Sequence, residues 1–178
     1  MRVIGGQLRG RRFTPPKSFS GRPTTDFARE SLFNILHHQM DMEGLKVLDL
    51  FGGTGSVTYE FASRGAASVL SVEKDRKASR FIKQTISDFQ IEDIADVIAA
   101  DVFGLMGNNI GSYDIIFADP PFEHPQIANL PNLLLQQSWL APGGMIIVEH
   151  PPQLDFSKVP HFDRTRKYGQ VCFSFFKP

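Results

Sequence analysis

The sequence predicts an α/β protein built on a parallel sheet, and three observations carry that reading. From Lys46 onward, short apolar runs alternate with longer amphipathic ones, the pattern of successive βα units. A glycine turn, Phe51-Gly52-Gly53-Thr54-Gly55, directly follows the first of those runs. With 178 residues, 42% of them hydrophobic, the chain can bury one substantial core and is short for two domains.

Taken in order, Val3 to Phe13 mixes strand formers with glycines and reads as a short β-ribbon, ended by Pro15-Pro16. Thr24 or Thr25 can then cap a helix with Asp26 in its first turn and Ala28, Leu32, Ile35 and Leu36 on one stripe. Strands are expected over 46–51, 67–72, 96–100, 113–118 and 145–149, with helices over 56–64, 76–89 and 127–139. Right-handed crossovers would place those helices on both faces of the sheet. Two strand-like runs at 162–167 and 170–176 flank Tyr168-Gly169 and suggest a hairpin that adds an antiparallel edge. Residues 1–40 are expected to form a basic ribbon-and-helix extension packed on a core of residues 41–178.

No apolar run reaches about 18 residues and the start is not that of a signal peptide, so a cytoplasmic protein with no membrane partner is expected. The lone Cys172 excludes an intrachain disulfide and a cysteine-based metal cluster, and no metal site is expected. The balanced charge, 19 Lys+Arg against 19 Asp+Glu, hides an asymmetry. Residues 1–30 hold Arg2, Arg9, Arg11, Arg12, Lys17, Arg22 and Arg29 against Asp26 and Glu30, a net +5. Such an arm supplies phosphate neutralisation for nucleic-acid binding; the plainer reading is a solvated, arginine-rich edge hairpin.

Ligands of open α/β sheets bind beyond the carboxyl ends of the strands, so the residues after each predicted strand are the candidates for chemistry. The first strand leads through Asp49 into Phe51-Gly52-Gly53-Thr54-Gly55, where the glycines let backbone approach a ligand at a helix N-terminus. The second ends at Glu73, with Lys74 beside it; an acceptor-only carboxylate there can take both hydroxyl hydrogens of a ribose. The third ends at Asp101, positioned for an adenine amino group, with Val102 and Phe103 for the ring faces. These tips describe an adenosine site, which serves either a nicotinamide dinucleotide or S-adenosylmethionine. The dinucleotide fingerprint places glycine where this chain has Thr58, and Asp49 puts a negative charge near the loop, suited to a sulfonium rather than a pyrophosphate. S-adenosylmethionine is therefore favoured.

The fourth strand runs into Asp119-Pro120-Pro121-Phe122. An exocyclic amino group is a poor nucleophile because its lone pair is delocalised into the base. The Asp119 carboxylate and the Pro120 carbonyl can accept its two hydrogens and turn the lone pair toward a methyl donor, while Pro120 and Pro121 stiffen the loop and Phe122 offers a stacking face. These motifs resemble those of Rossmann-like amino-methyltransferases. With Arg2-Val3-Ile4-Gly5-Gly6, Arg9-Gly10-Arg11, Arg22-Pro23-Thr24-Thr25-Asp26, Arg29-Glu30-Ser31-Leu32-Phe33-Asn34 and Tyr168-Gly169-Gln170, nearly the whole chain resembles the RsmD family of bacterial ribosomal RNA methyltransferases.

That resemblance implies a seven-stranded Rossmann-like S-adenosylmethionine-dependent fold with an N-terminal ribbon, and transfer of methyl to N2 of one guanine in 16S ribosomal RNA. Its substrate would be an assembling small subunit and the enzyme a monomer. Arg9, Arg11 and Arg12 fall on the RNA-recognition ribbon, and Arg22, Thr24 and Thr25 near cofactor or target base. This chain departs at Gly53, commonly alanine in the family, and at Thr58, frequently glycine. The alternatives are an amino-methyltransferase acting on DNA adenine, against which the lack of a target-recognition domain speaks, a non-catalytic RNA-binding assembly factor, and a nicotinamide oxidoreductase. His37, His38, His124, His150 and His161 are read as surface or capping residues, Trp139 and Cys172 as core, and Glu149 as a strand end with a substrate-edge role the lesser reading.

Overall fold

The computed structural model describes residues 1–16 and 25–178. Its helices are α1 (Asp26–Gln39), α2 (Ser56–Ser63), α3 (Arg76–Phe89), α4 (Val102–Leu105) and α5 (Leu130–Leu135), the last entered through a 3₁₀ turn at Ile127–Asn129. Its strands are β1 (Lys46–Leu50), β2 (Ser68–Glu73), β3 (Ala95–Ala99), β4 (Tyr113–Ala118), β5 (Leu140–His150), β6 (Phe162–Tyr168) and β7 (Val171–Phe176). They form one seven-stranded sheet in the order β3-β2-β1-β4-β5-β7-β6. β1 to β5 are mutually parallel, β7 is antiparallel to both β5 and β6, and β6 is the sheet edge. This is the Rossmann-like arrangement, and its order reverses between β1 and β4, where such sheets open a binding crevice.

Residues of alternating strand positions go to two cores. One holds Val47, Val69, Ile115, Phe117, Ile147, Phe173 and Phe175 under α1, α2 and α3; the other holds Leu48, Leu50, Ile116, Val148 and Phe176 under α5. Trp139 is fully buried in the second and donates its indole N–H to the Asn108 carbonyl at 2.8 Å. Cys172 is buried as expected of a small strand residue. The expected helix over 127–139 is shorter, because Pro131 enters at its start and the following turn ends at Leu135. The expected strand at 145–149 is longer, extending back through Pro142 and two glycines to Leu140.

Thr25 is the N-cap of α1, its hydroxyl accepting from the Ala28 N–H at 3.2 Å. The ribbon closes through Val3 N–H to Arg11 O and Gly10 N–H to Val3 O, both 2.9 Å, with a single bridge between Arg2 and Arg12. Glu60 of α2, fully buried, holds that ribbon down: its carboxylate accepts the Ile4 N–H at 2.9 Å and the Gly5 N–H at 2.7 Å. Arg64 pairs with the same carboxylate at 2.7 Å, and the fully buried Arg29 lies 3.9 Å from it. Val3 and Phe13 join the α1-side core, so the ribbon and α1 share their core with the sheet rather than building their own.

The structure also redistributes the basic arm. Arg29 is fully buried, Arg2 pairs with Asp26, and Arg11 donates to the Asp88 carbonyl at 2.7 Å with its guanidinium 4.9 Å above the Phe89 ring. Arg9 and Arg12 are the exposed cations of the ribbon that hold no such partner among the described residues.

Candidate active site

The carboxyl ends of β1 to β5 open into one cavity of about 750 Å³. Its wall includes Phe51, Gly53, Glu73, Lys74, Asp101, Val102, Asp119, Pro120, Pro121 and Phe122, residues 71 positions apart in sequence, while Gly52, Thr54 and Gly55 of the loop are not on it. Thr25 reaches the same wall. Arg22 and Thr24 lie outside the described residues. Arg11 does not reach the cavity: it is held at the far end of α3, a helix of 14 residues and so about 20 Å long, whose other end contributes Lys77 and Ala78.

The glycine loop is shaped by backbone geometry that side chains would spoil. Gly55 caps α2 at φ 77°, and a Cβ there would overlap the Tyr59 ring; at Gly52 it would overlap the Ser71 hydroxyl. Glu73 fixes the loop from the next strand, one carboxylate oxygen accepting the Gly53 N–H at 2.8 Å and the other the Asp75 N–H at 2.7 Å. Each oxygen keeps acceptor capacity for a further donor. Asp101 caps α4 through Phe103 N–H at 2.8 Å, and its other oxygen lies 3.9 Å from Lys74 Nζ. That four-residue helix escapes periodicity analysis because it is a single turn.

Asp49 departs from expectation. It is 2% exposed and does not line the cavity; its carboxylate accepts the Thr58 hydroxyl beneath the loop. Burial pushes its pKa up to about 7, Asp119 and Glu73 adding to the rise and the Thr58 bond opposing it. A carboxyl titrating near neutrality carries only part of a negative charge at pH 7, less than its place before the loop suggests. Thr58, a departure from the resembled pattern, is its partner. Because the folded-state pKa lies above the unfolded value, this group costs stability as pH rises from about 4 to about 7 and nothing further above that. Asp49→Asn keeps the acceptor and removes the titration. Relative to wild type it is expected to gain on the order of a few kcal/mol between pH 5 and pH 8 in urea unfolding, and parallel profiles would overturn this account.

The Asp119 loop is tied to β1 by the Asp119 N–H donating to Leu50 O at 3.2 Å, and it turns through His124 N–H to Pro121 O at 2.9 Å. Ala118 of β4 lies opposite Val148 of β5, so Asp119 and Glu149 occupy neighbouring strand ends, and both line the cavity. Glu149 is 3% exposed. Aromatic side chains were partly missed by sequence reasoning. His124 stacks on Phe103 with centroids 4.5 Å apart and planes 10° from parallel, and Phe27 and Tyr168 line the outer wall. His150 is not a surface residue: it is 1% exposed and bonded to Ser174 Oγ at 2.7 Å, and burial lowers its pKa. Among the described residues no group of His, Cys, Asp and Glu could hold a metal ion.

A Rossmann-like seven-stranded sheet with its glycine loop, two acidic strand tips and an Asp-Pro-Pro-Phe loop around one cavity has the architecture of S-adenosylmethionine-dependent methyltransferases. Comparison with known proteins agrees. The family described as conserved hypothetical protein 95 matches residues 1–177. The chain is 32% identical over 180 residues to ribosomal RNA small subunit methyltransferase D of Escherichia coli K12, covering 99% of this chain and 89% of that protein. A Thermus thermophilus structure described as a hypothetical protein superposes with a TM-score of 0.87 at 28% identity, covering 100% of this chain and 99% of the other. A Salinibacter ruber RNA methyltransferase bound to S-adenosyl-L-homocysteine shares the fold, with a TM-score of 0.68 at 16% identity over 88% of this chain and 93% of that one. The chain belongs to the conserved hypothetical protein 95 family, that of the small-subunit ribosomal RNA methyltransferase D proteins.

Proposed function

We propose that this protein transfers a methyl group from S-adenosylmethionine to N2 of a guanine in 16S ribosomal RNA of the assembling small subunit. The observation that carries the choice of base is the pair Asp119 and Glu149 at neighbouring strand ends on one cavity wall. Guanine presents two donors side by side, N1–H and the N2 amino group, and acceptor-only carboxylates suit both. Adenine presents an N1 acceptor, which would face a carboxylate unfavourably.

The cavity fits a nucleoside cofactor together with a base in volume and in donor set: Glu73 held by two backbone N–H groups for ribose hydroxyls, Asp101 for an amino group, and Phe51, Val102 and Phe103 for ring faces. When bound, S-adenosylmethionine supplies an electrophilic methyl on a sulfonium centre. Asp119 and the Pro120 carbonyl hold the two amino hydrogens and orient the lone pair, and Asp119 offsets the positive charge that develops on nitrogen. Phe122 stacks on the base. The donor's ribose and adenine are held by Glu73 and Asp101, on strands away from β4, so binding and transfer are separable by mutation.

The test uses small subunits from cells lacking this gene, methyl-labelled S-adenosylmethionine and the protein, with nucleoside analysis and mapping of the label. Label in N2-methylguanosine at one site supports the reading. Label on adenine of DNA, or none with intact cofactor binding, overturns it in favour of a DNA amino-methyltransferase or a binding factor. In the same preparation Glu73→Ala is expected to weaken S-adenosylhomocysteine binding by at least about tenfold, the order expected when hydrogen bonds to a charged group are lost. Calorimetry reads this directly, and unchanged affinity would remove Glu73 from the ribose site.

A further inference from the structure

We propose that the target RNA strand is carried to the cavity along the β6 edge, with the base next to the target stacking on Phe27, rather than mainly by the arginine ribbon. This inference rests on the reading that the substrate is ribosomal RNA. Phe27 is 67% exposed, the sole large hydrophobic side chain so exposed among the described residues. Its ring meets Tyr168 edge-to-face, with centroids 6.1 Å apart and planes at 75°, and both residues line the outer wall of the cavity. Tyr168 is backed by Phe173, 6.0 Å away, so the pair is anchored on the sheet while one ring stays open. An exposed aromatic at the mouth of a cavity that receives a single base is a stacking platform for the adjacent base.

β6 continues the platform as a phosphate track. Tyr168 is its last residue, and Arg166 and Lys167 immediately before it are exposed. Register places Arg166 opposite Phe173 and Lys167 opposite Cys172, so the two cations flank the strand edge on its two faces. Neither is held in an ion pair among the described residues, whereas Arg164 and Lys177 both sit on Asp163. Being the outermost strand, β6 also leaves backbone N–H groups on its outer side for an extended polyanion. By contrast the ribbon's Arg11 is held about 20 Å from the cavity end of α3, and Arg2 and Arg29 are committed to Asp26.

The experiment measures binding of a single-stranded oligoribonucleotide, centred on the nucleotide that the wild-type enzyme labels, and of the assembled small subunit, across a salt series. Phe27→Ala is expected to weaken binding of both on the order of tenfold at every salt concentration with an unchanged salt slope, and Phe27→Trp to bind as wild type. Arg166→Gln with Lys167→Gln is expected to reduce the salt slope by about 1.4, twice the contribution of one single-strand phosphate contact. S-adenosylhomocysteine affinity reports that each variant is folded. Wild-type binding by Phe27→Ala, rescue by Phe27→Leu as complete as by Phe27→Trp, or a slope that falls only when Arg9 and Arg12 are replaced would overturn the proposal. Loss confined to the assembled subunit would also overturn it, assigning the platform to a protein neighbour. If the mapped product is not N2-methylguanosine, the choice of base fails, while the comparison among variants still decides this inference.

Discussion

Asp119→Ala is expected to lower methyl transfer by on the order of 10² to 10³ in kcat while leaving S-adenosylhomocysteine affinity within about threefold of wild type. The magnitude follows from what the side chain supplies. An amino group conjugated with its ring reacts only if its hydrogens are held out of the ring plane, and in the proposed reaction the carboxylate is one of two acceptors that hold them. In the proposed reaction its negative charge also faces nitrogen as that atom becomes cationic. These interactions strengthen toward the transition state, so their loss falls on kcat more than on KM. Asp119→Asn retains a carbonyl acceptor without the charge and is expected to lie between wild type and Asp119→Ala. Single-turnover transfer and calorimetry on the same preparations check the division. Equal losses of transfer and cofactor affinity would mean that Asp119 builds the pocket rather than orienting the amine.

Much of this site was legible because its chemistry sits at strand ends, and strand ends are where apolar runs stop. Glu73, Asp101 and Asp119 each follow such a run, and the structure brings all three to one cavity. Asp49 differs from the expected exposed charge for a physical reason: it lies inside β1, one residue before the strand ends, and burial there raises its pKa to about 7. Its partner Thr58 is nine residues on, a contact that no periodicity reveals. The RNA side was less legible still. A count of cations along residues 1–30 cannot distinguish Arg29, sealed under the ribbon, from Arg9, which is exposed. Phe27 escaped notice because a lone aromatic at the start of a helix carries no signal until the fold sets it beside Tyr168.

Glu60→Ala is the substitution expected to cost the most stability, about 3–5 kcal/mol, a large part of the 5–15 kcal/mol typical of a domain. The Glu60 and Arg29 side chains are both fully buried, at 0% accessibility. Removing the carboxylate leaves the Arg29 guanidinium buried with a single carboxylate partner, Asp26, and strips the Ile4 and Gly5 N–H groups of their acceptor. Burial already lowers the pKa of Arg29, Asp26 and Glu60 being the groups that oppose the shift. The damage is expected to be concentrated in the ribbon. Hydrogen exchange at Ile4 and Gly5 should accelerate well beyond what global unfolding explains, because these amides would open locally. A double variant, Glu60→Ala with Arg29→Met, should recover part of the loss by removing the stranded charge and filling its volume with an apolar chain. Urea unfolding with exchange measurements on both variants decides the matter. A cost below about 1 kcal/mol for Glu60→Ala, or a double variant no more stable than the single one, would show that the ribbon is held by Val3 and Phe13 in the apolar core and not by this buried carboxylate.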